Sequence, residues 1–217
     1  MINLNPILSS TDINLKDGTQ MNFQYTRTAS PKKAKGFTLV ELIVVIAIGA
    51  LLALFAVPYA RGVIINGKVE PTANDVNKTV TMIRGNFAGQ GVTPYNNLGV
   101  GAAATAIFAN TARGLSSSLT VSGNGAAATV QHDLGQTGSQ ITVASSTITT
   151  PGDSFTVTLP TVNNAACPGL AAQLSRVAEV ITINAAAAKA VGGVYNGGIA
   201  QNACTEGDTN TFVFTFR

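Results

Sequence analysis

The sequence predicts an α+β fold, in which one long N-terminal α-helix packs on a head built from an antiparallel β-sheet. Residues 37–59 form an apolar run whose one charged side chain is that of Glu41. A weaker helical repeat of apolar residues continues over residues 60–88. From residue 89 onward, glycine, proline, asparagine and serine become frequent, and short runs of β-forming residues alternate with turns. The helix therefore belongs to the N-terminal part of the chain and the sheet to the C-terminal part.

Length and charge narrow the class of protein. A chain of 217 residues is long enough for one ordinary domain and an extra element. Its net charge of +3 comes entirely from residues 1–36, where five basic side chains outnumber two acidic ones. The other eight basic and eight acidic side chains balance. The main body therefore lacks the basic surplus that marks a nucleic-acid-binding protein.

A basic segment precedes the apolar run. Residues 1–31 are polar and have no periodic pattern, which is typical of a solvated extension, and Lys32, Lys33 and Lys35 follow them. About 20 apolar residues span a bilayer core, so residues 37–59 are long enough to cross a membrane. The lysines predict that the N-terminal end of this run stays in the cytoplasm.

Two simpler interpretations of this junction fit less well. A secretory signal peptide has a shorter apolar core, followed by a small-x-small cleavage site that residues 59–61 match poorly. A plain membrane anchor fits the length of the run. It leaves Glu41 unexplained, because a carboxylate inside a bilayer is energetically unfavourable.

Residues 35–43, Lys-Gly-Phe-Thr-Leu-Val-Glu-Leu-Ile, resemble the processing site of type IV prepilins and of the related type II secretion pseudopilins. The resemblance implies that a membrane-embedded aspartyl prepilin peptidase cuts between Gly36 and Phe37 and then N-methylates Phe37. It also implies the type IV pilin fold. The expected domains are a cleaved leader (1–36), a transmembrane and filament-core helix (37–59), its amphipathic continuation (60–88) and a globular head with a C-terminal disulfide region (89–217).

The resemblance also gives Glu41 a role in assembly. In the family, the carboxylate at this position neutralises the N-terminal amine of a neighbouring subunit. An ion pair in an apolar bundle is much less unfavourable than an unpaired carboxylate, so Glu41 would fix the register between subunits. Gly36 suits the cleavage site, since glycine lets an extended backbone pass close to a protease.

Two positions are expected to weaken the long helix. Pro58 lies where pilins usually carry a helix-bending proline, which removes one backbone hydrogen bond and clashes with the preceding turn. Gly49 is a second weak point. We expect the segment between them to lose helical hydrogen bonds in a filament, which would make the fibre extensible. Residues 60–88 either continue the helix or form a linker and a separate short helix.

The head is expected to contain short helices and strands. One helix is predicted over residues 102–113 and another over residues 168–174. The last predicted strand alternates plainly, with Phe212, Phe214 and Phe216 on one face. The predicted strands occupy residues 118–122, 128–131, 140–149, 155–159, 177–183 and 211–216.

The chain has two cysteines, Cys167 and Cys204, both in the part that is predicted to be exported. An oxidising periplasm favours a disulfide between them, and two unpaired buried cysteines are the alternative. In the chain-entropy model the closed loop would contribute roughly 3 to 4 kcal/mol. Their position before the final strand resembles the D-region of pilins.

The sequence offers no residue set for catalysis, a metal or a cofactor. The single histidine, His132, cannot by itself provide the ligands of a metal site or the residues of an acyl-transfer triad. We expect it at the surface or in a turn. The glycine clusters lack the lysine of a phosphate-binding loop. We therefore expect no enzymatic activity, and the energy for assembly must come from a partner.

These features predict a major pilin that polymerises with copies of itself through residues 37–59. The resemblance implies further partners: the prepilin peptidase and N-methyltransferase, an inner-membrane assembly platform and a cytoplasmic assembly ATPase. The precursor is expected in the bacterial inner membrane and the mature subunit in an extracellular pilus that serves adhesion, aggregation or conjugation. A type II secretion pseudopilin, and a minor pilin acting as tip adhesin or DNA receptor, are the alternatives.

Features at both ends of the chain bear on which subgroup of type IV pilins it resembles. Phenylalanine as the first mature residue resembles type IVa pilins. The long leader, the mature length of 181 residues and the final strand rich in phenylalanine look more like type IVb pilins. We favour type IVb.

Overall fold

The computed structural model describes residues 36–217. Residues 45–217 form one compact unit. The described residues form five α-helices and eight β-strands, and every strand pairing is antiparallel. The predicted α+β fold, with a long N-terminal helix and an antiparallel sheet, is confirmed.

The first helix, α1, spans Leu39–Gly67 and has 29 residues. Its large apolar side chains as far as Tyr59 are all exposed, whichever side of the helix they occupy. A helix that is apolar all round belongs in a membrane or in the core of a larger assembly. The helix runs through Gly49 and Pro58 without interruption, so the weakening expected there stays a prediction about the filament.

The second helix, α2, spans Val69–Phe87 and is amphipathic. One residue in a turn, Lys68, separates it from α1. The apolar stripe read from the sequence is buried under the head at Val76, Val80 and Ile83. Pro71 lies in the first turn of α2, where the missing backbone N–H has no helical partner in any case.

A third helix, α3, spans Ala102–Ala112 and packs against α2. Most of its buried residues are alanine, and small side chains let two helices approach closely; Phe108 supplies the one large buried ring. The helix predicted over residues 102–113 is confirmed.

The head contains two sheets. A five-stranded sheet has the order β4-β5-β8-β6-β7 and a three-stranded sheet has the order β1-β2-β3. The strands are β1 (Leu119–Ser122), β2 (Thr129–His132), β3 (Ser139–Gln140), β4 (Thr142–Thr147), β5 (Pro151–Val162), β6 (Val180–Ile183), β7 (Ala186–Lys189) and β8 (Asn210–Phe216).

Strand β8 lies at the centre of the larger sheet and carries much of the core. Phe212, Phe214 and Phe216 are fully buried, which confirms the alternation predicted for this strand. The Phe216 ring lies 5.6 Å from that of Phe155 on β5, and the Phe155 ring lies 4.7 Å from that of Tyr95. Packed aromatic pairs at such distances add stability beyond the apolar area that they bury.

The strand predicted over residues 140–149 is wrong as one element, because the structure has β3 and β4 there in different sheets. Strand β7 and helix α5 (Gly197–Ala203) have no counterpart among the predicted elements. Strand β7 is rich in alanine, which has low β-propensity, and it follows a turn in which Asn184 and Ala185 both have positive φ angles of 48° and 70°. A two-residue hairpin turn of type I′ needs that conformation at both central residues. Helix α5 begins with two glycines, and the Asn196 side chain caps it by accepting a hydrogen bond from the Ile199 N–H. The predicted helix over residues 168–174 is confirmed as α4, Cys167–Leu174.

The prediction that His132 lies at the surface or in a turn is wrong. His132 is the last residue of β2 and is fully buried. Burial is possible because both ring nitrogens have hydrogen-bond partners, the Pro160 carbonyl and the Leu134 N–H.

Candidate assembly site

The residues around the predicted cleavage point lie outside the helix. Gly36, Phe37 and Thr38 are not helical, and α1 begins at Leu39. Phe37 is 87% exposed. A backbone that is not closed into helical hydrogen bonds can adopt the extended form that a protease binds.

Thr38 and Glu41 form a capping box at the start of α1. The Thr38 N–H and the Thr38 hydroxyl each donate to Glu41 Oε2 at 2.9 Å, and the Glu41 N–H donates to Thr38 Oγ1 at 3.2 Å. The pattern Thr-x-x-Glu just before an apolar run is a sequence signature of this motif, and sequence reasoning missed it. A carboxylate held in this way has a structural use even in a single chain, so Glu41 alone does not exclude a plain membrane anchor.

The apolar surface of α1 is long enough for a membrane. The helical segment Leu39–Phe87 contains an 18-residue window with a mean hydropathy of 2.9, and none of that window is buried in the described part of the chain. Length and composition therefore allow one membrane-spanning helix. The residues that the structure describes leave this surface uncovered, which fits a helix that lipid or other subunits cover.

The predicted disulfide between Cys167 and Cys204 is present, with 6.0 Å between the two Cα atoms. It joins the start of α4 to the residue that follows α5. The buried Asn210 side chain fixes the loop beyond it, since Oδ1 accepts from the Thr205 N–H at 2.7 Å and Nδ2 donates to the Val162 carbonyl at 3.0 Å. Covalent and polar contacts together hold this C-terminal region on the sheet.

Asp75 is a buried carboxylate that ties α2 to the loop before β1. Its Oδ2 accepts from the Ser117 N–H at 2.8 Å, the Ser118 N–H at 2.9 Å and the Ser118 hydroxyl at 2.7 Å. Burial alone would raise the pKa of Asp75, but these hydrogen bonds and the neighbouring Lys78 outweigh burial and lower it. An ionised, fully engaged carboxylate of this kind serves packing.

Asp153 is a second buried carboxylate with a structural role, at the β4–β5 turn. It accepts from the backbone N–H groups of Ile148 and Thr149 at 2.8 Å and forms an ion pair with Arg217. Burial would raise the pKa of Asp153, but the hydrogen bonds and the Arg217 guanidinium hold it far below its usual range. These contacts of Asp153 stabilise the turn and do not indicate a catalytic role.

In the described part of the chain, the groove beside α1 contains no cluster of unpaired titratable side chains. A groove of 690 Å³ beside α1 is lined by Arg61, Asn163 and Glu206 among others. Arg61 is paired with Asp208, and the Asn163 amide donates to the same carboxylate at 2.6 Å. Within residues 36–217, no three histidine, cysteine, aspartate or glutamate side chains are grouped so that they could hold a metal ion.

Comparison with known families decides the identity of the chain. Residues 31–57 match the model described as prokaryotic N-terminal methylation motif, and residues 68–217 match the model described as PilS N terminal. The chain belongs to the PilS family. The type IV prepilin predicted from residues 35–43 is confirmed by these two matches, and the chain is a pilus subunit.

Solved structures that this PilS family member resembles are also pilins. A type IVb pilin from Salmonella typhi is 26% identical over 65% of this chain and 95% of its own, with a TM-score of 0.47. TcpA, a type IV pilin from the Vibrio cholerae El Tor biotype, is 14% identical over 70% and 99%, also with a TM-score of 0.47. The solution structure of PilS from Salmonella typhi is 25% identical over 68% and 95%, with a TM-score of 0.42. No curated protein sequence matches the chain.

The predicted site residues fall in different parts of the two family matches. Gly36, Phe37, Glu41 and Gly49 lie within the methylation motif, and the two cysteines lie within the PilS match. Pro58 lies just outside the motif. The roles in cleavage, methylation, assembly and bending that were assigned to these residues remain predictions.

Proposed function

We propose that the chain is the major pilin of a type IVb pilus and that it polymerises through residues 37–59 after its leader is removed. The observation that supports this proposal is the uncovered apolar surface of α1, a helix that begins within the processing motif. The helix would move from lipid into an equally apolar filament core. Hydrophobicity changes little in that transfer, so close packing and polar pairing decide the assembly.

Glu41 would supply the polar pairing. Among the described residues only its Oε2 accepts hydrogen bonds, all of them from Thr38. One carboxylate oxygen therefore closes the helix cap while the other stays available for the methylated amine of Phe37 in a neighbouring subunit. The cap also fixes the direction in which the carboxylate is presented.

The remaining partners follow from this assembly path. A prepilin peptidase would cut after Gly36 and methylate Phe37, and an inner-membrane platform with a cytoplasmic ATPase would extract the subunit. The protein itself would have no enzymatic activity and no cofactor. The precursor would reside in the inner membrane, and the mature subunit at the cell surface. The segment between Gly49 and Pro58 would lose helical hydrogen bonds in the fibre and make it extensible.

Filaments sheared from cells that express the chain test this proposal. We expect the mature chain to be the dominant protein of the sheared fraction on a stained gel, because a homopolymer contains little else. The inner-membrane fraction of the same cells is the control. Retention in the inner membrane with none in filaments would contradict the proposal and favour a pseudopilin, and trace amounts in filaments made of another pilin would favour a minor pilin.

A further inference from the structure

The buried His132 side chain joins the two sheets of the head. Its Nε2 donates to the Pro160 carbonyl of β5 at 2.9 Å, and its Nδ1 accepts from the Leu134 N–H at 3.3 Å. A carbonyl can only accept and an N–H can only donate, so these two partners assign the neutral ring with its proton on Nε2. His132 itself belongs to β2, and Pro160 to the larger sheet.

The contacts around His132 belong to the same junction. The Asn163 N–H donates to the Leu134 carbonyl at 2.8 Å, and Gly135 pairs with Val162 as an isolated antiparallel bridge. The Ser139 and Thr161 hydroxyls also share a hydrogen bond. The segment that follows β2 is thus fastened to the end of β5 by a short row of polar contacts, with the imidazole among them.

We propose that His132 makes this junction acid-sensitive, so that protonation of the imidazole loosens the three-stranded sheet from β5 while the larger sheet stays folded. A proton taken from solvent by Nδ1 would point at the Leu134 N–H, and two donors would then face each other in a buried site. Both the hydrogen bond and the burial of the ring would become unfavourable. The unit that opens would be β1 to β3, which is small enough to unfold locally.

The charged surroundings of His132 are sparse. The elements packed against β2, which are β1, β3 and α3, carry no titratable side chain, and the one on β5, Asp153, is bound by Arg217 near the other end of that strand. Asp133 lies next to His132 in the sequence, is 52% exposed and is paired with Lys68 at 3.6 Å. Burial lowers the pKa of His132, and the Pro160 carbonyl and Asp133 offset this only in part.

The direction of the pH effect follows from that lowered pKa. In the unfolded chain His132 titrates near its ordinary value of about 6.5, so below that pH the unfolded or opened state binds more protons than the folded state. The stability of the junction is complete above about pH 6.5 and falls as the pH is lowered through it. One proton changes the opening equilibrium by at most about tenfold per pH unit.

Histidine-selective NMR of the full-length chain in detergent micelles provides the first test, because one histidine gives one set of ring signals. A cleavable purification tag must be removed beforehand. We expect a neutral ring protonated on Nε2 that titrates with a midpoint below about 6.5. A midpoint at or above that value, or a proton on Nδ1, would overturn the proposal.

Hydrogen exchange followed by mass spectrometry, corrected for the intrinsic effect of pH, tests where the opening occurs. Between pH 7 and pH 5 we expect peptides from residues 119–140 to lose protection by up to about thirtyfold, because the effect begins near pH 6.5, while peptides from residues 210–216 keep theirs. A His132→Gln variant keeps a donor at the same end of the side chain but does not titrate, so its protection should not depend on pH in this range. Equal loss in both sheets, or the same pH profile in the variant, would contradict the proposed junction.

Discussion

Replacing Glu41 with leucine is expected to abolish filament assembly while leader cleavage continues. In the assembled bundle the methylated amine of Phe37 would lose its partner, and an unpaired charge in apolar surroundings is unfavourable by several kcal/mol. We therefore expect the sheared filament fraction to fall by at least about a hundredfold. The measurement is the amount of the chain in sheared filaments, relative to the processed chain in the inner membrane.

Two control variants separate the charge of Glu41 from its role in the helix cap. Glutamine is accepted at this position of a capping box, so Glu41→Gln keeps the hydrogen bonds with Thr38 and removes only the charge. Thr38→Ala does the reverse, with a loss of about 1 kcal/mol in helix stability. We expect the glutamine variant to fail as the leucine variant does and the Thr38 variant to assemble. Wild-type filament levels from either Glu41 variant would show that assembly does not need the charge.

Removing the disulfide is expected to lower the stability of the head by several kcal/mol. Cys167 and Cys204 are separated by 37 residues, and opening a loop of that size lowers the free energy of unfolding by roughly 3 to 4 kcal/mol. The double variant Cys167→Ala/Cys204→Ala should show this loss in urea unfolding of the chain in detergent. The wild type treated with a reductant is the matched control, because it breaks the same bond without changing a side chain. A difference below about 1 kcal/mol between oxidised and reduced protein would contradict the expected contribution.

The parts of the fold that could be predicted depend on patterns among neighbouring residues. The apolar run at residues 37–59 and the alternation of Phe212, Phe214 and Phe216 are properties of neighbouring residues, so the sequence alone is sufficient to read them. Helices α3 and α4 are also short local segments, and Gly114 marks the end of α3 in the sequence. The two cysteines allowed one intramolecular pairing, so the disulfide needed no knowledge of the fold.

Strand pairing and contacts between distant residues explain what the sequence did not reveal. Strand β7 consists mostly of alanine, and its assignment depends on pairing with β6 across the turn at Asn184. The burial of His132 depends on Pro160, which is 28 residues away. In the candidate site, the bond between Thr38 and Glu41 is local and could have been found from its spacing. Nothing in the sequence indicates that Ser117 and Ser118 satisfy Asp75 from another element.

The most direct test is to identify the N-terminal residue of the subunit in purified filaments. It shows whether the apolar helix is retained while the basic leader is lost. Intact-mass and N-terminal peptide measurements on sheared filaments should find a chain that begins at Phe37 and carries one N-methyl group. A chain that begins after residue 60, or one that still contains residues 1–36, would contradict assembly through this helix.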